Sequence, residues 1–290
     1  MQHIYPLNQG NRVPTFSEVI DLIQPKQVGR YWFVGTSPPQ GPRIFGGQVL
    51  AQSLMAANAT VPEPFTAHSL HAYFLRPGNP NEPIEFEVDP IRDGRSFSTR
   101  RVVARQNEQA IFNTAISYHV QEQGLAHSLT MPKVEPPDFE SAARNREAAE
   151  TAYVLGIFGI ERQRLIGHED HAQEPHLRNW FRAHGELSDD PRLHQVALAL
   201  LSDFSLLSTV FLPVAGRRWQ SDFMFASLDH AMWFHGPIDV NRPVLYDCES
   251  PWAGNGRGFT RGQLWSEDGA PLASVAQEVL VRAKDGANDT

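Results

Sequence analysis

The sequence predicts an α+β fold of two similar units, each an antiparallel sheet wrapped around a long buried helix. Three observations predict it. First, the segment Ala67-His68-Ser69-Leu70-His71-Ala72-Tyr73-Phe74-Leu75-Arg76-Pro77 returns as Ser227-Leu228-Asp229-His230-Ala231-Met232-Trp233-Phe234-His235-Gly236-Pro237, with Phe74 matching Phe234 and Pro77 matching Pro237 at a separation of 160. Second, two further blocks repeat: Gln48-Val49 as Gln195-Val196 at 147, and Arg95-Ser96-Phe97-Ser98 as Arg257-Gly258-Phe259-Thr260 at 162. Two copies make a fused pair of units rather than a solenoid, and the drift in offset means connections of different length between matched blocks. Third, each copy runs in the same order: a strand, an apolar helix, then four strand-like runs.

The elements follow from the residues. The chain up to residue 27 is a polar lead-in with a short amphipathic helix from Ser17 to Ile23. Val28 to Gly35 is aromatic and β-branched and predicts a strand. Arg43-Ile44-Phe45-Gly46-Gly47 breaks the pattern, and Gln48 to Asn58 is apolar on nearly every side, the mark of a helix buried within a domain. Strands are expected over 67–76, 83–91, 96–105 and 110–120, separated by Pro77-Gly78, Asp93-Gly94 and Gln106-Asn107. From residue 121 to about residue 174 the periodicity is lost, among Pro132, Pro136, Pro137 and a charged helical stretch from Ser141 to Ala152. The second copy opens with a strand over Leu177 to Ala183. Asp189-Asp190-Pro191 then starts a helix, with Pro in the first turn where its missing N–H costs nothing, and the helix runs from Leu193 to Leu207. Strands over 221–234, 243–250, 257–266 and 272–282 close the copy, with turns at Asn255-Gly256 and Asp268-Gly269. A long apolar helix followed by a run of antiparallel strands is most economically buried by curling the sheet around it. That is the hotdog architecture, here doubled.

Bulk properties narrow the class. The 290 residues carry a net charge of −8, so neither nucleic acid nor an anionic membrane is an expected partner. Cys248 is the only cysteine; with no base that the sequence places beside it, it reads as a buried structural residue rather than a nucleophile. No apolar run is read as approaching the ~20 residues of a spanning helix. Met1-Gln2-His3-Ile4-Tyr5-Pro6 has no secretory pattern, and Ala287-Asn288-Asp289-Thr290 carries no targeting tripeptide, so a cytoplasmic protein is expected. His168, Glu169, Asp170 and His171 lack a metal-ligand spacing and read as a solvated loop. No metal and no cofactor are expected.

The copies differ where chemistry would lie. At the three offsets, Asp203 faces Ala56, Ser227 faces Ala67 and Gln277 faces Ala115. Polar groups on an apolar helix and on core strands need partners, because an unpaired buried polar group costs ~1–3 kcal/mol. Alone, Asp203 could cap a helix break or face solvent. Set with Ser227 and Gln277 against three alanines, it points to one shared site.

At these blocks the sequence resembles a known family. Phe45-Gly46-Gly47-Gln48, the segment from His68 to Gly78, Leu228 to His235, and Arg257-Gly258-Phe259-Thr260-Arg261-Gly262 are similar to the acyl-CoA thioesterase II family, in the same order, from about Gly29 to Arg282. The resemblance implies a double hotdog that hydrolyses fatty acyl-CoA to free acid and CoA, with a catalytic trio falling on Asp203, Ser227 and Gln277. Ser227 stands where many members have Thr. On this division, residues 1–125 are a first unit without a complete polar trio, 126–174 a connector, and 175–290 a second unit carrying the trio. Without a Gly-x-Ser-x-Gly elbow, water is the expected nucleophile, Asp203 its general base, and Ser227 and Gln277 its positioners. Gly46 and Gly47 precede the first buried helix, where free N–H groups and the helix dipole favour an oxyanion; the same glycines equally allow a tight turn. His68, His71, Arg95 and Arg257 are candidate substrate contacts, with Arg76, Arg92, Arg100, Arg101 and Arg261 as further cations for CoA phosphates. A homo-oligomer, dimer or tetramer, is expected by analogy of fold. Two other readings stay open. Asp189-Asp190-Pro191-Arg192-Leu193-His194 partly matches the Asp-x-Asn-Pro-Leu-His motif of hotdog enoyl-CoA hydratases, and a non-catalytic acyl-CoA binding protein would use the same fold.

Overall fold

The computed structural model describes residues 13–140, 156–167, 171–214 and 219–284. The charged stretch from Ser141 to Ala152, and His168, Glu169 and Asp170, lie outside them.

The first unit starts with α1 (Phe16–Ile23), capped by a reciprocal pair in which Thr15 Oγ1 accepts from Glu18 N at 3.3 Å and Glu18 Oε2 accepts from Thr15 N at 2.7 Å. Its buried face is Phe16, Val19, Ile20 and Ile23. The stretch expected to be one strand from Val28 to Gly35 is a hairpin, β1 (Lys26–Gly29) and β2 (Trp32–Gly35), turning at Arg30-Tyr31. Helix α2 (Gly46–Asn58) follows, buried at every position from Gly47 to Asn58. Strands β3 (Thr66–Phe74), β4 (Ile84–Asp93), β5 (Phe97–Gln106) and β6 (Gln109–His119) complete the unit.

The second unit repeats it with β7 (Ile160–Ile166), β8 (His176–Ala183), α3 (Pro191–Ser202), a short α4 (Leu206–Phe211), a single turn α5 (Trp219–Asp222), β9 (Phe223–Ser227), β10 (Asp229–Phe234), β11 (Val244–Gly254), β12 (Arg257–Ser266) and β13 (Pro271–Ala283). Strand β7 lies inside the 126–174 stretch assigned from sequence to the connector, so the second sheet begins at Ile160. The helix expected from Leu193 to Leu207 is two helices. α3 ends at Ser202 with Asp203 as its C-cap, and Ser205 takes a φ of +85°, a left-handed value that a serine adopts only under strain. From Pro191 to Phe211 the chain is 21 residues long and apolar enough on average to cross a membrane, although Arg192, Gln195 and Asp203 interrupt it; in this fold it is the second core helix pair and is mostly buried.

The two sheets join edge to edge. Strand order is β1-β2-β4-β5-β6-β3-β10-β13-β12-β11-β8-β7, which reads the same from either end once β3 is matched with β10. The helices α2 and α3 pack against each other in one core that spans both units. Their ends interlock. A Cβ on Gly47 would collide with the Leu200 carbonyl oxygen, so α2 begins where α3 ends. At the other end the Arg192 guanidinium donates to the carbonyls of Asn58, Pro62 and Phe65 at 3.2, 3.1 and 2.9 Å.

Register fixes how the copies correspond. The irregularity at His68, between Ala67 and Ser69, recurs at Leu228, where β9 passes into β10. Ala67 pairs with Tyr118 as Ser227 pairs with Val279, and His71 pairs with Ala115 as Ala231 pairs with Ala276. The surface ion pairs Arg101–Asp89 and Arg261–Glu249 are likewise copies of one another. The offset is therefore 160 through β5 and β12, and the match at 162 read from Arg95 and Arg257 does not hold. The counterpart of Gln277 is Ile116, not Ala115. Ala115 points outward while Gln277 points into the core, and a one-residue slip exchanges those faces.

Candidate active site

Asp203 sits where the chain leaves the apolar interior of α3. The break at 203–205 frees its side chain from the helix surface and turns it toward the start of α2. Its carboxylate is buried, and burial raises its pKa to about 7; the Gly47 backbone N–H and the Gln277 side chain act in the opposite sense by favouring the charged form. Among the described residues Oδ1 has no hydrogen-bond partner. A Cβ on Gly46 would lie 2.6 Å from Asp203 Oδ2 and 2.8 Å from the Phe74 ring, so only glycine lets the backbone approach here.

Strand β13 delivers Gln277, which is 1% exposed. Its Nε2 donates to Ser227 Oγ at 2.8 Å. Ser227 is only partly buried, at the end of β9, so the cluster opens toward solvent on that side. The structure thus brings together the three residues expected from sequence, Asp203, Ser227 and Gln277, from the break after α3, from β9 and from β13.

It also adds two that the sequence reading did not single out. His230 is fully buried on β10, with Nδ1 2.7 Å from Gln277 Oε1 and Nε2 2.9 Å from Ser202 Oγ. Burial holds its pKa down at about 4, so the ring is neutral. Ser202 precedes Asp203, and its carbonyl accepts from Tyr246 Oη at 2.7 Å. The signal for His230 was present in the first repeat, where it stands opposite Leu70.

Other expected contacts fall elsewhere. His71 is exposed on the outer face of the sheet, edge-on to Trp233, and His68 points the same way, its Nε2 2.8 Å from Ser117 Oγ. Neither is on the inner face that carries Gln277. Arg100 is 2% exposed and bonded to Asp93, Thr60 and the Arg92 carbonyl, a structural role rather than a phosphate contact. Arg257 pairs with Glu278 at 3.0 Å over the Trp252 ring, and Arg95 is exposed. Gly47 differs from the oxyanion-donor expectation, because its N–H faces Asp203. Cys248 is buried, and burial pushes its thiol pKa well up. The hydratase-like segment has structural duties. Asp190 caps α3 by accepting from Arg192 N at 2.9 Å, and His194 Nδ1 accepts from Val240 N at 3.2 Å.

Two hotdog units around one polar cluster, with a buried carboxylate beside an amide and a hydroxyl, form a double hotdog whose site is equipped to hold a water and take its proton. The comparisons with known proteins agree and are more specific. Residues 33–119 match the model of the acyl-CoA thioesterase N-terminal domain and residues 129–281 that of the acyl-CoA thioesterase C-terminal domain. The chain belongs to the acyl-CoA thioesterase family. It is 38% identical to acyl-coenzyme A thioesterase 8 of Mus musculus, over 88% of this chain and 84% of that protein. It is 35% identical to acyl-CoA thioesterase 2 of Haemophilus influenzae, over 92% and 97%. Among solved structures, the acyl-CoA thioesterase II TesB2 of Mycobacterium marinum matches with a TM-score of 0.77 and 34% identity, over 93% of this chain and 98% of that one.

Proposed function

We propose that the chain hydrolyses fatty acyl-CoA to free acid and CoA with a water molecule activated at Asp203. The observation that carries this reading is the placement of the Gln277 amide between Ser227 Oγ and the Asp203 carboxylate, whose Oδ1 has no hydrogen-bond partner among the described residues. Water held by Asp203, Ser227 and Gln277 attacks the thioester carbonyl carbon as Asp203 takes its proton. The carbonyl π electrons move to oxygen. The Gly46 N–H, at the first position of α2 where no intrahelical partner exists, is the candidate donor to that oxyanion, aided by the helix dipole. Collapse of the tetrahedral intermediate breaks the C–S bond, and the proton on Asp203 goes to the departing thiolate. A single site per chain follows, because Ala56, Ala67 and Ile116 occupy the corresponding places in the first unit.

The outer face around β3 and β10 exposes Tyr73 and Trp233, which supports a homo-oligomer through that face; light scattering that gives a monomer at micromolar concentration would remove that part. The activity is tested by following thiol release from short, medium and long acyl-CoA esters, with water addition to an enoyl-CoA as the contrasting assay. Thiol release by wild type and its loss in Asp203→Asn support the reading. Binding without thiol release would make the protein a carrier.

A further inference from the structure

We propose that His230 is a positioning residue for this reaction: it holds the Gln277 amide in the one orientation that aims its NH2 group at Ser227 and Asp203. The inference rests on the reading that Gln277 donates into the site.

A glutamine amide has nearly the same shape when flipped, so packing alone does not orient it. Hydrogen bonding does. A carboxylate accepts only, so the Gln277 nitrogen faces Asp203 and Ser227, and Oε1 faces His230 Nδ1 at 2.7 Å. A carbonyl oxygen also accepts only, so Nδ1 carries the imidazole proton. In the neutral ring Nε2 is then an acceptor, and its neighbour is Ser202 Oγ at 2.9 Å, whose single hydrogen is shared between Nε2 and the Ala199 carbonyl oxygen 2.8 Å away. The chain of donors runs Ser202 to His230 to Gln277 to Ser227. Ser202 is bonded covalently to Asp203, so the chain closes on the base that Gln277 faces. If Gln277 flipped, it would set a carbonyl against the carboxylate and leave two acceptors facing each other at Nδ1 or force a change of tautomer.

The first unit shows that the fold does not need this chain. At the same offset of 160 the counterpart of His230 is Leu70, that of Ser227 is Ala67, and the register gives Ile116 for Gln277. The helix offset of 147 set by Gln48 and Gln195 gives Met55 and Ala56 for Ser202 and Asp203. All five replacements are apolar and buried. The same backbone therefore packs with hydrocarbon in every one of these places, and the polar chain appears as a unit only where the carboxylate does. Burial, which keeps His230 uncharged, keeps its Nε2 an acceptor.

The test is a double-mutant cycle on the full chain, with kcat and KM from thiol release and folding followed by thermal melting. His230→Ala is expected to lower kcat by about 10-fold or more with KM within about 2-fold, since His230 touches no substrate. In the Gln277→Ala background the same substitution is expected to change kcat by less than about 2-fold, because there is no amide left to orient. His230→Asn, whose amide NH2 can take the place of Nδ1–H, is expected to recover most of the loss. Ser202→Ala opens little space and removes the donor to Nε2; should His230→Ala fail to fold, it carries the same cycle with the same expected non-additivity. Equal factors in the two backgrounds, or a His230→Ala enzyme with wild-type kcat, would overturn the proposal. If Gln277→Ala itself keeps wild-type kcat, the fault lies earlier, in the assignment of Gln277 to the site.

Discussion

Leu70 and His230 occupy the same place in the two halves of this protein, one fully buried in hydrocarbon contact and the other fully buried in a hydrogen-bonded chain that runs from Ser202, the neighbour of Asp203, through Gln277 to Ser227. One backbone position thus serves packing in the first unit and chemistry in the second. That contrast makes the site a local departure from a symmetric fold, and several outcomes can be anticipated from it.

Asp203→Asn should abolish most thioesterase activity while the protein stays folded. Asn keeps the shape and an oxygen for the Gly47 N–H but takes no proton at neutral pH. The loss should be ~10²–10⁴ in kcat. Ser227→Ala and Gln277→Ala, which remove only positioning groups, should each cost less, and either combined with Asp203→Asn should fall far short of additivity. Steady-state thiol release on the set checks this; near-normal turnover in Asp203→Asn would remove the base assignment.

The pH profile follows from the same carboxylate. Only the ionised form accepts a proton, and burial places its pKa at about 7. kcat should therefore rise with pH through about 7 and level off above it. A profile flat down to about pH 5 would show an ordinary, solvated carboxylate at work instead.

Stability should respond to pH in opposite senses at the two buried groups. Asp203 has a native pKa of about 7 against an ordinary 3.8, so its contribution is fully present below the unfolded value and is lost as pH rises through about 7. His230 has a native pKa of about 4 against 6.5, so its contribution is present above the unfolded value and is lost as pH falls through about 4. The slopes oppose each other between those limits. Asp203→Asn should gain stability over wild type from about pH 5 to about pH 8, by up to roughly 4 kcal/mol. His230→Asn should lose less stability than wild type on acidification. Urea denaturation of the three proteins at both ends of the range decides it.

Gly46→Ala should inactivate the enzyme with modest effect on the first sheet. The added methyl would meet Asp203 Oδ2 at 2.6 Å and the Phe74 ring at 2.8 Å, and a ring or a carboxylate must move to admit it. A fall in kcat of about 10²-fold is expected, judged by assay and by melting temperature against wild type. Full activity in the alanine variant would show that the approach of α2 to the carboxylate is not needed.

The sequence by itself determined the doubled architecture, because periodicity and repeated blocks are local properties of a chain. Helix α2, the paired strands and the trio of Asp203, Ser227 and Gln277 were all legible there, since a polar residue in an apolar pattern stands out against its own copy. Three things were decided only by the tertiary structure. The partner of Gln277 in the first unit is Ile116 rather than Ala115, because the register of a strand is set by its neighbours across the sheet and sequence alone left it free by one residue. The helix read as continuous to Leu207 breaks at Asp203, because Ser205 is held at positive φ with its Oγ receiving the Asn179 amide at 2.9 Å, a contact from a strand 26 residues away. His71 and His230 look alike in the chain as histidines of the same motif, yet one faces outward beside Trp233 and the other inward against Gln277. Strand alternation gives two faces but not which one is the core, and that choice is made only when the sheet closes around its helix.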